Sequence, residues 1–356
     1  MYKTFLLLGT LLFGVSSSLL RGTTEQISTE AFLTNCDEWS QFTNFQTRFG
    51  KTYNSFEEMQ DRFAIFRSNL KEIINHNLNN THTYTLGINQ FTDLTAEEFK
   101  DTYINGLSSE YSQDMKLFGS TTKCGSFSGS DGSSPSSIDW RQKNAVSDVK
   151  NQGQCGSCWS FSASGAMEGA WAIRHGKLYN LSEQQLVDCA GLAYGSMGCK
   201  GGQMDGAFKY ATDKEGMCDE ESYPYKSGTT LKSGNCEPCK PVVQVNGCMD
   251  VSPDNQKVLK DAVAKGPVSV AIEADTKIFQ LYSSGILTST SCGTNLDHGV
   301  LIVGYGTESG QDYWIVKNSW SNTWGEEGYI RIARSDSTSD PGICGIAMQP
   351  SFPVVV

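Results

Sequence analysis

Residues 123–137 read Lys-Cys-Gly-Ser-Phe-Ser-Gly-Ser-Asp-Gly-Ser-Ser-Pro-Ser-Ser. A run so rich in Ser and Gly has almost nothing to bury, so it restricts the fold to two parts joined by an exposed, protease-sensitive linker. Before it, residues 37–101 are rich in Phe, Glu, Lys and Asn with helical periodicity; after it come most of the Cys, Gly and Trp. The division is that of a removable segment and a main body. With 356 residues, 38% hydrophobic and 19% charged, the chain can build one large or two modest cores, which excludes a disordered or fibrous class. Lys and Arg number 28 against 39 Asp and Glu, a net charge of -11. Electrostatic binding to nucleic acid or an anionic membrane has no basis in that balance.

The meaning of twelve cysteines depends on compartment. Lys3, then an apolar run from Phe5 to Val15, then Ser16, Ser17 and Ser18 follow the order of a cleaved secretory signal, residues 1–18. At about 11 residues the run is too short to span a bilayer, and no later stretch is long enough, so no membrane span is expected. The mature chain is expected in the secretory pathway, in a lysosome, an acidic vacuole or outside the cell, where thiols oxidise to disulfides. Asn79 and Asn180 are candidate glycan acceptors there.

In the first part Glu58, Arg62, Phe66, Asn69, Ile73 and Asn77 fall on one stripe of a helix. Taken alone, that stripe reads equally well as an amphipathic helix held by pairs such as Glu58 with Arg62. Gly87-Ile88-Asn89-Gln90-Phe91-Thr92-Asp93 follows a short extended run. After the linker, apolar spacing predicts a helix from Cys158 to His175, stopped by Gly176. A second helix starts at Ser182 through a capping box, and a third runs from Gln203 to Lys214. Strands are expected at 268–272, 299–304, 313–317 and 329–333. Helices first and strands afterwards, without βαβ alternation, give an α+β class with segregated halves.

A thiol nucleophile needs a depressed pKa and a base, and Cys158 opens a helix whose N-terminal dipole favours a thiolate. Of four histidines, His76 and His82 precede the linker, and His175 closes the helix that Cys158 opens, about 25 Å away at 1.5 Å per residue. His298 remains as the base. If strands 299–304 and 313–317 pair through a turn centred near Glu308, His298 faces Asn318, whose amide would orient the imidazole. Trp320 would cover that bond, and Gln152 would join the Cys158 N–H in holding an oxyanion. Two other classes fit parts of the pattern. Cys155-x-x-Cys158 and Cys236-x-x-Cys239 have the spacing of a redox dithiol or a zinc site, and the same scaffold without turnover would be a binding module.

These residues resemble papain-like cysteine peptidases, cathepsin L branch, written as a preproenzyme. Cys155-Gly156-Ser157-Cys158-Trp159 resembles the nucleophile signature, and Asn318-Ser319-Trp320 resembles Asn-Ser-Trp-Gly with Ser321 in place of Gly. The six-residue stripe resembles the Glu-Arg-Phe-Asn-Ile-Asn signature of cathepsin L-like propeptides, and Gly87, Asn89, Phe91 and Asp93 its companion motif. The resemblance implies an inhibitory propeptide over 19–133 and a two-lobed peptidase over 134–356, one lobe helical with Cys158 and the other a β-barrel with His298. It implies a substrate site of Gly201, Gly202, Gln203, Met204, Ala271, Leu296, Gly299, Gln349 and Trp320, suited to a bulky hydrophobic residue two places before the scissile bond (P2). It implies endopeptidase action, since no insertion like an occluding loop follows Cys189, and disulfides Cys155–Cys199, Cys189–Cys236 and Cys292–Cys344. Cys36, Cys124, Cys218, Cys239 and Cys248 are left over, with Cys218–Cys239 one further pair and Cys124 a candidate tether for a propeptide fragment, as in the mini-chain of cathepsin H, which would favour aminopeptidase action. No metal or organic cofactor is expected. The partners implied are protein and peptide substrates, the chain's own propeptide and cystatin-like inhibitors, on a monomer.

Overall fold

The computed structural model of the chain describes residues 29–79, 81–104, 106–107, 124–129 and 134–356. The signal expected at 1–18 lies outside them, as do Lys123 and residues 130–133 of the linker. Two units are distinguished, Met1–Gln41 and Phe42–Val356; of the first, the described part is the opening of a helix.

That helix, α1, runs Thr29–Phe49, and α2 runs Phe56–Leu78, its first turn capped by the Ser55 hydroxyl, which accepts from the Glu58 N–H. Phe42 and Phe45 on α1 pack against Phe66 and Leu70 on α2 in a small aromatic core. The six-residue stripe lies on α2, and its polar members are spent on the chain that follows. The Asn69 amide donates to the carbonyls of Thr92 and Leu94 at 2.9 Å each. The Asn77 amide donates to Leu86 O and accepts from Leu86 N. Arg62 pairs with Glu98 at 2.8 Å and donates to Asp93 O, so its partner is not Glu58, whose carboxylate instead accepts from the Asn54 N–H. The stripe therefore shapes the segment containing β1 (Tyr84–Leu86) and α3 (Ala96–Tyr103), the latter closed by a Thr95/Glu98 capping box.

Past the linker, helices α4 (Cys158–His175), α5 (Glu183–Cys189) and α6 (Met204–Asp213) share one apolar core with Trp159, Met167, Leu186 and Phe208 inside it. The strands that follow are β4 (Cys248–Val251), β5 (Val268–Ile272), β6 (Tyr282–Leu287), β7 (His298–Glu308), β8 (Gln311–Lys317), β9 (Tyr329–Ala333) and β10 (Ser351–Pro353), with helix α7 (Gln256–Val263) between β4 and β5. With β2 (Gly125–Phe127) they are ordered β1-β6-β9-β8-β7-β5-β10-β4-β2, and β3 (Ile138–Asp139) pairs with β7. A second core is built mainly from the inward faces of these strands. Helices and strands are segregated as expected, giving an α+β fold preceded by a helical segment. Helix α4 lies along β7: the Ser162 hydroxyl donates to Val300 O, and the Ser269 hydroxyl donates to Ser162 O.

Two expectations need correction. The β7–β8 turn is centred on Ser309 and Gly310, both at positive φ (51° and 82°), the signature of a two-residue hairpin loop. Its register pairs Glu308 with Gln311, and an irregularity between Ile302 and Gly304 shifts it by one, so the last pair is Leu301 with Lys317. His298 is thus not opposite Asn318 in the ladder; it pairs with Ile272 on β5. The linker is not wholly exposed chain either. Gly125–Phe127 forms a parallel strand on β4, and Cys124 is bonded to Cys248 with a Cα–Cα distance of 4.8 Å.

Four further disulfides are present: Cys155–Cys199, Cys189–Cys236 and Cys292–Cys344, the pairs the resemblance implies, and Cys218–Cys239. Neither Cys-x-x-Cys pair is joined within itself. Cys155, Cys236 and Cys239 are each consumed elsewhere, which leaves no dithiol and no four-sulfur metal set at either motif.

Candidate active site

Cys158 is the first residue of α4, fully buried, and its thiol is free. Ser157, which precedes it, makes no side-chain cap; its hydroxyl is shared with the Tyr225 phenol at 2.7 Å. The Cys158 Sγ accepts from the Gly299 N–H at 3.3 Å, which sets the sulfur beside the residue next to His298. The mutual placement of α4 and β7 does this, across 141 positions of sequence.

His298 Nε2 and Asn318 Oδ1 are 2.8 Å apart. The chemistry of the neighbours fixes the proton. The same Asn318 oxygen accepts from the Ser319 N–H, an obligatory donor, at 2.8 Å, so it is the amide oxygen that faces the ring. Nε2 must therefore carry the hydrogen, and Nδ1, which has no hydrogen-bond partner, is left with its lone pair free to act as a base. Asn318 arrives by a route other than strand register: β8 ends at Lys317, the Asn318 N–H donates to Gly328 O, and the turn brings its side chain back to the ring. Trp320 stacks on His298 with ring centres 4.6 Å apart and is 1% exposed, which seals the bond from water.

Gln152 is fully buried, and its amide is held from behind. The Ser319 hydroxyl donates to Gln152 Oε1 at 2.7 Å, so Nε2 is turned forward, where it donates to Cys155 O and makes a long contact with Tyr103 O at 3.4 Å. Sequence reasoning singled out Gln152 but not Ser319; the signal available was only its place between Asn318 and Trp320. His175 lies at the far end of α4, where its ring packs on Trp171.

Of the expected substrate residues, Gln203, Met204 and Gln349 line one cavity of about 360 Å³ together with Asp205, Asp250 and Met348. Ala271 and Gly299 instead face each other in the β5–β7 ladder, with Ala271 and Leu296 packed in the same apolar core as Met204. Gly202 donates its N–H to Gly106 O, and Gly201 accepts from the Met197 N–H.

Gly106 belongs to the segment before the linker, and it lies directly on the nucleophile: a Cβ at this position would run into Cys158 Sγ and stand 3.2 Å from Gly156 O. Leu107 is buried in the same apolar core as Met204 and Ala271. Upstream, Phe91 and Phe99 pack edge-on against Trp320, and the Gln90 amide donates to Trp320 O at 2.7 Å. The propeptide thus covers the site it precedes.

Burial sets the electrostatics. Burial pushes the Cys158 thiol up to about 12, although the N–H groups of Gly299, Trp159 and Cys158 pull the other way. Burial likewise holds His298 down to about 4, against the opposing effect of its bond to Asn318. Burial thus disfavours the charged form of both groups in this closed state. Burial also raises the neighbouring Asp297 to about 8.

Residues 134–354 match the papain family cysteine protease model, and residues 42–99 match the cathepsin propeptide inhibitor domain. The chain is 46% identical over 303 residues to probable cysteine protease RD21C of Arabidopsis thaliana, covering 85% of this chain but 65% of that protein. It is 42% identical over 364 residues to germination-specific cysteine protease 1 of the same plant, covering 98% and 94%. Among solved structures, a recombinant stem bromelain precursor superposes with a TM-score of 0.80 at 39% identity, covering 90% of this chain and 99% of that one. The chain belongs to the papain family of cysteine proteases and carries its inhibitor as a propeptide.

Proposed function

We propose that the mature chain is an endopeptidase that cleaves peptide bonds by a Cys158–His298–Asn318 mechanism, with a bulky hydrophobic residue preferred at P2. The observation that carries this is the main chain at Gly106, hydrogen-bonded to Gly202 and seated against Cys158, which shows that the groove beside the sulfur admits a polypeptide backbone. Once the cover leaves, water reaches the pair and the desolvation that keeps both groups neutral is relieved. A thiolate at the α4 N-terminus and an imidazolium held by Asn318 become the favoured state. The thiolate attacks the scissile carbonyl, and the Gln152 amide and the Cys158 N–H take the oxyanion charge. The C–N bond breaks as the His298 imidazolium gives its proton to the leaving amine. Water, deprotonated by the same ring, then hydrolyses the thioester and regenerates Cys158. Met204, Ala271 and Leu296 supply an apolar wall for P2. Five disulfides support residence in an oxidising secretory compartment, and the neutral, buried His298 supports activation in an acidic one.

The test is acid activation of the precursor followed by profiling on a peptide library. Cys158→Ala should abolish turnover, and Asn318→Ala should lower kcat by about a hundredfold through a misoriented base. Equal cleavage by Cys158→Ala would refute the mechanism, and a preference for charged residues at P2 would refute the specificity.

A further inference from the structure

The segment that precedes the peptidase contributes a strand to each end of the peptidase's sheet, and the two ends are fastened differently. At one end β1 pairs antiparallel with β6, Tyr84 opposite Gly285 and Thr85 opposite Ser284. The Thr83 hydroxyl adds a bond to Ile286 O at 2.7 Å, and the Gly87 N–H one to Leu281 O. These contacts are all non-covalent. At the other end β2 pairs parallel with β4, Gly125 opposite Met249, Ser126 opposite Asp250 and Phe127 opposite Val251. The Ser252 N–H donates to Phe127 O, and the Phe127 ring packs edge-on against Phe352 of β10, with centres 5.4 Å apart. This strand is locked by the Cys124–Cys248 disulfide, whose two halves lie on opposite sides of residues 128–137 of the Ser/Gly stretch.

We propose that Cys124–Cys248 makes release of the inhibitor a two-cut event and leaves β2 as a permanent strand of the mature enzyme. A single cut in the Ser/Gly stretch after Phe127 breaks one peptide bond but leaves the propeptide joined to β4 through sulfur. Tethered in this way it stays at an effective concentration of about the millimolar range, high enough for β1 to re-pair with β6 and for Gly106 to return over Cys158 whenever they open. Only a second cut, between Leu107 and Cys124, frees the inhibitory part. The piece around Cys124 then remains, covering the β4 edge that would otherwise present unpaired backbone groups.

The test uses full-length Cys158→Ala precursor with a foreign protease recognition sequence substituted at 130–133, so that catalysis by this chain plays no part. After the single cut, a denaturing gel without reductant should show one species, and reductant should resolve it into two. Two species without reductant, or iodoacetamide labelling of Cys124 in the unreduced protein, would overturn the proposal, and neither outcome bears on whether Cys158 is a nucleophile. Hydrogen exchange of the β6 amides reads the consequence. In the cut, disulfide-intact protein they should stay protected on dilution. In the cut Cys124→Ser/Cys248→Ser protein they should exchange about tenfold faster as β1 departs. Equal exchange in the two proteins would show that the tether does not hold the inhibitor in place. The gel comparison needs no cysteine variant, so it decides the covalent claim even if the double variant fails to fold.

Discussion

His298 is oriented by Asn318, and both Asn318 and Gln152 are oriented by Ser319, a residue to which the motif around it assigns no role. The Ser319 hydroxyl fixes the Gln152 amide while its own N–H fixes the Asn318 amide. One residue therefore positions both the oxyanion donor and the histidine orienter. Ser319→Ala should lower kcat by about tenfold with KM little changed, because a mis-turned Gln152 costs stabilisation in the transition state alone. Gln152→Ala itself should cost about 10²–10³ in kcat. His298 also gives the closed zymogen a signed pH dependence. Its pKa in the closed state is about 4 against an ordinary value of 6.5, so the unfolded or opened chain binds more protons between those values. The His298 contribution to the closed state is then full above about pH 6.5 and is lost as the pH drops toward 4, by an amount of the order of 3 kcal/mol. The raised Asp297 acts in the opposite sense over the same range, so the contribution is read as the difference in thermal unfolding between the Cys158→Ala and Cys158→Ala/His298→Gln zymogens, which should grow as the pH rises from about 4 to 6.5.

At the scale of elements, α2 does more than bury an apolar stripe. Asn69 sits 1% exposed and satisfies two carbonyls of the segment that leads into α3. Asn69→Ala leaves both unsatisfied and should weaken propeptide inhibition by about 1–3 kcal/mol, roughly ten- to a hundredfold in the inhibition constant of the isolated propeptide. The exposed ion pairs across the same interface, Lys100 with Asp275 and Lys277 with Glu72, should matter far less, because solvent screens them. The existence of α2, α4, α5 and α6 was legible from periodicity and caps. The β7–β8 register was not, because the turn residues Ser309 and Gly310 and the irregularity near Val303 move the pairing in ways that hydrophobic alternation does not record.

Across the whole molecule, the helical core and the sheet are joined behind the site by buried charges. Lys150 bonds Glu168 of α4, Glu183 of α5 and the Leu181 carbonyl, while Lys317 at the end of β8 donates to Ser147. Burial opposes ionisation of Glu168, yet Lys150 and Lys317 hold its carboxyl below the usual range. Removing one partner leaves the others uncompensated, so Glu168→Gln should destabilise the fold by about 3–5 kcal/mol, measured by denaturant unfolding. The effect should exceed that of losing the exposed Lys209–Asp213 pair on α6, which is worth about 0.3–0.5 kcal/mol.

The sequence by itself determined the α+β order and singled out Cys158 and His298 as candidates, because helix periodicity, caps and the scarcity of histidine are local or countable properties; Asn318 was reached through a strand register that the fold does not have. Tertiary structure alone decided that Ser319 couples Gln152 to Asn318, that Gly106 lies against the thiol of Cys158, and that Cys124 of the linker is fastened to Cys248. Each of these depends on groups remote in the chain meeting at a few ångströms, and no local pattern of residues encodes which distant surfaces will be packed together.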